Sequence, residues 1–168
     1  MNTLVSDFPD GQPAGLVSAN FHHKFMIRAA KHEVWAWLND PRTFIDNQPP
    51  PYRVEFIPEK FDVGVFNNHH GPFLNLPAVI TAMEGTDYRE MRYLYGSFVL
   101  GLRLIRPTAI KFWLVHTHQG GTELQLALES LVHPWIRAPW LFAQKIFWKS
   151  FEATVERGIR RRRKGRVT

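Results

Sequence analysis

The chain contains no cysteine, which excludes disulfides, thiolate zinc centres and a cysteine nucleophile and is compatible with a reducing compartment. Long uncharged runs are also lacking. The most apolar late stretch, residues 131–148, is interrupted by His133, Arg137, Gln144 and Lys145, so nothing approaches the roughly 20 residues of a membrane span. The opening MNTLVSDFPDGQPAG has no basic patch followed by an apolar core, so no secretory signal is expected and a cytoplasmic location is the expectation. No Gly-x-Ser-x-Gly turn occurs, and Gly120-Gly121 precedes a strand pattern rather than a helix, which argues against a serine hydrolase and against a phosphate-cradling loop.

What is present suits one globular domain. The 168 residues are 45% apolar, 21% charged and 14% aromatic, enough for a full core with a surplus of rings to bury. The net charge of +6 is local. Residues 1–155 hold 14 basic and 14 acidic side chains, whereas residues 156–168 hold seven and one. A neutral body offers no second basic stripe for a nucleic-acid backbone, so no nucleic acid is expected as a partner. The basic end reads as a solvated terminus or as a contact for an anionic membrane surface, through Arg160, Arg161, Arg162, Arg163 and Lys164.

The hydrophobic period changes along the chain. Residues 1–19 show none and read as a flexible arm, the domain runs over 20–163, and 164–168 form a basic tail. FHHKFMIR, residues 21–28, alternates as a strand with Phe21, His23, Phe25 and Ile27 on one side. Residues 29–39 place Ala30, Val34, Trp35 and Leu38 at helical spacing until Asp40-Pro41 stops them, and Arg42 to Asn47 offers a second short turn. After Pro49-Pro50-Pro51 the period becomes two. Strands are expected near 52–56, 63–67, 78–83, 88–95, 109–118 and 122–133, with the NNHHGP stretch as a turn and residues 97–106 open between strand, bulge and short helix. From Ile136 the positions Trp140, Ala143, Phe147, Phe151, Val155 and Ile159 recur every three or four residues, which predicts one long amphipathic helix. A strand, a helix, a run of strands and a long helix make an α+β fold with an antiparallel sheet.

That element order resembles the START-related helix-grip superfamily (SRPBCC), which includes polyketide cyclase/dehydrase and lipid-transport families. The likeness spans roughly Phe21 to Arg162. It is carried by MIRAAKHEVWAWLNDP with Val34-Trp35, by the hairpin HQGGTELQLALE, and by the terminal helix after Pro139. The resemblance implies a curved antiparallel sheet wrapped around the C-terminal helix, an internal apolar cavity between them, and a small hydrophobic or aromatic ligand, lipid or polyketide-like. These are scaffold signatures and not catalytic motifs.

Candidate site residues follow from faces. Tyr93 and Tyr95 share a side with Met91, Trp140 and Phe147 lie on the helical stripe, and Phe112 or Trp113 faces the interior depending on register. A two-residue Gly120-Gly121 turn would pair His118 with Glu123 and His116 with Gln125, turning both histidines outward; a loop one residue longer would turn them inward. No carboxylate stands at a ligand offset from the eight histidines, so neither metal nor cofactor is expected. Three functions are open: binding of a hydrophobic ligand, a cofactor-independent cyclase or dehydratase using acid/base groups in the same cavity, and docking to an anionic membrane through the tail. Arg89, flanking a turn with Glu84, reads as solvated charge.

Overall fold

A computed structural model describes residues 13–165 apart from Asn47, Pro49, Gly101 and Gln119. The elements run β1 (Val17–Ser18), β2 (Phe21–Ile27), α1 (Lys31–Leu38), α2 (Pro41–Ile45), β3 (Arg53–Ile57), β4 (Phe66–Gly71), β5 (Leu74–Glu84), β6 (Tyr88–Tyr93), β7 (Phe98–Val99), β8 (Ile105–His116) and β9 (Thr122–Val132). A 3₁₀ turn (Pro134–Ile136) then leads into α3 (Arg137–Trp148) and α4 (Phe151–Gly165). The nine strands form one antiparallel sheet in the order β1-β9-β8-β6-β5-β4-β3, with β2 alongside β1 on β9 and β7 bridging β5 and β8. The sheet begins at Val17, inside the stretch expected to be a free arm, because Val17 and Ser18 pair with Val132 and Leu131.

Alternation decides which side chains face the helices. Phe25 lies opposite Leu124 and Phe21 opposite Leu128. Across β9, Leu114, Phe112 and Ile110 face Leu124, Leu126 and Leu128. Arg89 then pairs with Phe112 and Met91 with Ile110, so Arg89, Met91 and Tyr93 share this concave face. Trp113 has the opposite parity and packs at a tilt against Tyr88 on the convex side, ring centroids 5.3 Å apart. Of the two alternatives Phe112 is the inward one. Tyr95 falls beyond the end of β6 and is 69% exposed, so strand parity no longer places it beside Tyr93.

Two points left open by the sequence are decided, and three expectations are corrected. The β8–β9 connection takes residues 117–121, longer than a Gly-Gly turn: Thr117 N–H donates to Gly121 O, and His116 sits opposite Thr122. His116 therefore has the parity of Leu114 and Leu124, but at the end of the strand it remains exposed, while His118 lies in the loop. His69 and His70 belong to β4 itself and not to a turn after it. Residues 97–106 resolve into the two-residue strand β7, a loop and the start of β8. The expected single terminal helix is two helices, interrupted at Lys149-Ser150. The interruption separates Trp140, Gln144 and Trp148, which face inward, from Val155 and Ile159, which face inward on α4. Phe147, expected as a wall residue, points away and is 70% exposed, because the buried stripe of α3 runs through 140, 144 and 148 and leaves 147 about 60° off its centre, on the flank.

The α4 end of the interior is filled by rings: Phe151 lies 5.2 Å from Phe25, 4.9 Å from Trp148 and 6.0 Å from Trp37, centroid to centroid. Side chains of α4 also cover the free edge of β2, where Met26 and Arg28 N–H groups donate to Glu152 and Glu156 at 3.3 and 2.9 Å. An edge strand with satisfied donors is a poor template for another chain.

Candidate functional site: the concave face beneath α3

Polar side chains stand on the concave face where the alternation would place apolar ones. On β4 the inward residues are Asn67 and His69, opposite Phe56 and Val54 of β3. Asn67 pairs with Ala78 of β5, and Ala78 with Tyr93 of β6, so Asn67 and Tyr93 flank a methyl-sized side chain in one transverse row. Ser130 continues the inward parity of Leu128 on β9. The helix α3 starts just past Val132 and brings Trp148 to 6.4 Å from Phe25, with Trp140 and Gln144 on the same buried stripe.

Several polar atoms there have no partner. Among the described residues Asn67 Oδ1, Ser130 Oγ and Trp140 Nε1 are buried without a hydrogen bond. Asn67 Nδ2 finds only the Met91 sulfur, at 3.6 Å. A native interior leaves few such groups, because each unmade bond costs about 1–3 kcal/mol. Each such acceptor or donor, on β4, β9 and α3, marks a place for water or for a polar atom of a ligand. Gln144, by contrast, is satisfied within α3, where its Oε1 accepts from Trp148 Nε1 at 3.0 Å.

The ionisable groups on this face are held in defined states. Burial pushes the Tyr93 phenol up to about 12, against a smaller opposing pull from Arg89, so it is a neutral donor at physiological pH. His69 is brought down to about 4, first by burial and then by the charge of His70, and is a neutral imidazole. Arg89 is brought down to about 9 by burial and stays charged. Only 1% exposed, Arg89 lies with its guanidinium carbon 4.6 Å from the Phe61 ring and 4.9 Å from Phe112. It donates to Leu38 O and to Asn39 Oδ1, the latter at 3.0 Å, and so binds the C-terminal end of α1 where the helix dipole favours a cation. No Asp or Glu is buried among the described residues, so this face carries no carboxylate base.

Of the sequence candidates, Tyr93, Phe112 and Trp140 come to the concave face, whereas Trp113, Tyr95 and Phe147 do not. Tyr93 and Tyr95 meet at a separate small pocket of about 20 Å³ with Ser97, Arg106 and Leu131, room for a water molecule. Arg89 and Asn67 were missed. Their signal was parity: Arg89 is two residues from Met91 and four from Tyr93, and Asn67 is two from buried Val65.

The basic end is helical and partly engaged, in contrast to the expected solvated cluster. Arg162 donates to Ala36 O and Thr43 Oγ1 at 3.0 and 2.6 Å and pairs with Asp40. Arg163 forms a two-pronged contact with Glu33, which holds that carboxyl down at about 2. Arg160 pairs with Glu156 at 3.5 Å, and Lys164 is exposed on the last turn. Arg157 and Arg161 line a groove of about 430 Å³ between α2 and α4, together with Asp40, Asp46 and Trp37. No group of three or more potential metal ligands occurs among the described residues, and none of their helices is long and apolar enough to cross a membrane.

Comparison with known proteins supports the architecture. No family model matches the chain, and no curated protein matches it. Solved structures do. Norcoclaurine synthase from Thalictrum flavum, in a complex with dopamine and hydroxybenzaldehyde, superposes with a TM-score of 0.66 at 15% identity, covering 86% of this chain and 88% of that one. A protein of unknown function from Staphylococcus aureus gives 0.68 at 9% identity over 89% and 98%, and Ara h 8.0201 gives 0.59 at 13% over 85% and 98%. The chain has the helix-grip fold, as its sequence led us to expect. At these identities the likeness concerns the fold.

Proposed function

Starting from the helix-grip architecture, we propose that the chain binds one small, largely apolar organic molecule with one or two polar atoms, between α3 and the concave face of the sheet. The observation that carries the reading is the set of buried atoms without partners, Asn67 Oδ1, Ser130 Oγ and Trp140 Nε1, on an otherwise apolar surface of Phe21, Ile110 and Leu128. A ligand bearing a hydroxyl, amide or phenol would satisfy them while its rings or chain replace water against the leucines. The neutral Tyr93 phenol supplies a further donor.

A second reading is a cyclase or dehydratase in the same space. It is favoured by the complex of a structurally similar synthase with an amine and an aldehyde, and by a neutral phenol and a neutral imidazole on one face of the sheet. The lack of a buried carboxylate ranks it second.

The test is titration with a naphthalene-sulfonate fluorophore, followed by mass spectrometry of whatever small molecules copurify. Binding that an extracted molecule displaces, and that Asn67→Leu weakens about fivefold or more, is expected. Failure of every ring-sized probe to bind would remove both readings. Turnover of an aldehyde and amine pair, lost in Tyr93→Phe while binding persists, would promote the enzyme.

A further inference from the structure

We infer that the outward face of α3, with the loop tips at its N-terminal end, is a docking surface for an anionic lipid bilayer. The helix is apolar on two sides. Trp140, Gln144 and Trp148 face the interior, but Phe142, Ile146 and Phe147 face outward and are 64%, 60% and 70% exposed. With Pro139 and Ala143 they recur at spacings of three and four, the pattern of a helix face that is buried against something.

Loops extend this face. Leu74 pairs with Val99, Val99 with Ile105 and Ile105 with Val132, while His133 N–H donates to Leu104 O at 2.9 Å. The neighbours of these residues, Phe73, Leu100, Leu102 and Trp135, therefore gather at the sheet end from which α3 departs. Phe73 and Leu102 are 74% and 75% exposed. Phe73 and Leu100 hold φ of 61° and 71°, a left-handed backbone disfavoured for any residue with a Cβ. Large apolar side chains at strained, exposed positions serve no packing purpose within the chain.

Charge selects the occupant. Between Glu129 and Glu152 there is no acidic residue, while Arg137 and Lys145 lie on the helix and Lys149 caps its C-terminal end, the two lysines exposed beside the apolar stripe. An apolar face with a cationic rim suits the headgroup boundary of an anionic bilayer, where rings sit among acyl carbons and lysines among phosphates. A second copy meeting this face about a two-fold axis would set lysines near lysines with no acid to pair them. The terminal arginines are a weaker candidate for the contact, since Arg162 and Arg163 are engaged with Asp40 and Glu33.

The inference stands apart from the ligand reading, because Phe142, Ile146 and Phe147 point away from the concave face. Flotation with phosphatidylcholine vesicles, with and without phosphatidylglycerol, tests it. Partitioning at least about tenfold stronger with the anionic lipid is expected, as roughly fivefold per basic residue near the surface implies. Phe142→Ser with Phe147→Ser should lower it about tenfold or more, as should Lys145→Gln with Lys149→Gln on anionic vesicles. Arg160→Gln with Lys164→Gln should leave it within about twofold. Circular dichroism and fluorophore titration confirm that the variants keep their fold and their ligand site. No vesicle binding, binding indifferent to the α3 substitutions, or binding lost only with Arg160 and Lys164 would overturn the inference. So would a dimer in sedimentation equilibrium that Phe142→Ser dissociates. A protein that binds the fluorophore but ignores vesicles would sink this inference alone; one that binds vesicles but no fluorophore would sink only the ligand reading.

Discussion

Replacing Gly158 of α4 by alanine sets two physical effects against each other. Helix propensity alone favours alanine by about 1 kcal/mol. The structure opposes it, because a Cβ at 158 would overlap Trp37 Nε1 and lie 2.9 and 3.0 Å from Trp37 Cδ1 and Cε2. The indole has little room to retreat: it is buried, with Phe44 at 6.1 Å and Phe151 at 6.0 Å. Overpacking a site of this kind costs about 1–3 kcal/mol. Separating α4 from α1 would also stretch the Arg163–Glu33 and Arg162–Asp40 contacts, each worth up to about 1 kcal/mol at the surface. The expected net loss is about 2 kcal/mol, a fall in Tm of roughly 5 °C for a domain of this size. Thermal unfolding followed by circular dichroism measures it. Gly165→Ala, where a Cβ meets nothing within 4 Å, is the control and should change stability by no more than about 0.5 kcal/mol. Trp37→Phe in the same chain should return part of the loss, since the smaller ring vacates the space. A Tm for Gly158→Ala at or above that of the parent would refute the reasoning.

Two pH dependences follow from the ionisable groups. His69, brought from 6.5 to about 4, takes up its proton later when folded than when unfolded, so its stabilising effect is complete above about pH 6.5 and declines as the pH falls toward 4. A loss of about 1–3 kcal/mol across that window, absent in His69→Gln, should appear in urea unfolding at a series of pH values, and an imidazole that titrates near 6.5 by NMR would contradict it. Glu33 is depressed by its Arg163 partner from 4.5 to about 2, so its contribution is full above about 4.5 and is lost as the pH falls through about 2. Because Arg163 is half-exposed, about 1 kcal/mol is expected, and Arg163→Gln should remove that part of the acid limb; an acid limb identical in the variant would rule the pair out as a stabilising contact.

Much of the architecture was legible because period two and period 3.6 are local properties. FHHKFMI, RVEFI and TELQLALESLV read as strands, and they are. What failed depended on single residues of register or on a helix break. The five residues 117–121 between β8 and β9 chose between the two parities open for His116, and the helix break falls at Lys149-Ser150. Phe147 falls at the flank of the stripe made by 140, 144, 148, 155 and 159, and spacings of three or four alone do not separate the flank from the buried centre. Arg89 was misjudged by its position next to a turn. Proximity to Asp87 suggested solvent, but β6 starts at Tyr88, and its alternation sends Arg89 inward among Phe44, Phe61 and Phe112. Nothing in a sequence announces which buried polar atoms will lack partners, since that depends on neighbours from three or four strands at once.

The two helices that cross the sheet are held in different ways. The α4 half is tied to the rest of the chain by Glu152 and Glu156 on the β2 edge, by Arg162 and Arg163 on α1 and α2, and by Phe151 within a cluster of rings. Among the described residues, α3 is joined to the sheet side by the hydrogen bond of Arg137 Nε to Ser18 O at 3.1 Å, and Trp140, Leu141 and Trp148 pack against the core. Directional bonds fix an element in one place, whereas apolar contacts tolerate displacement at little cost until the surface is wetted. Trp140 of α3 buries its Nε1 without a partner, and the exposed rings Phe142 and Phe147 lie on the other side of the same helix.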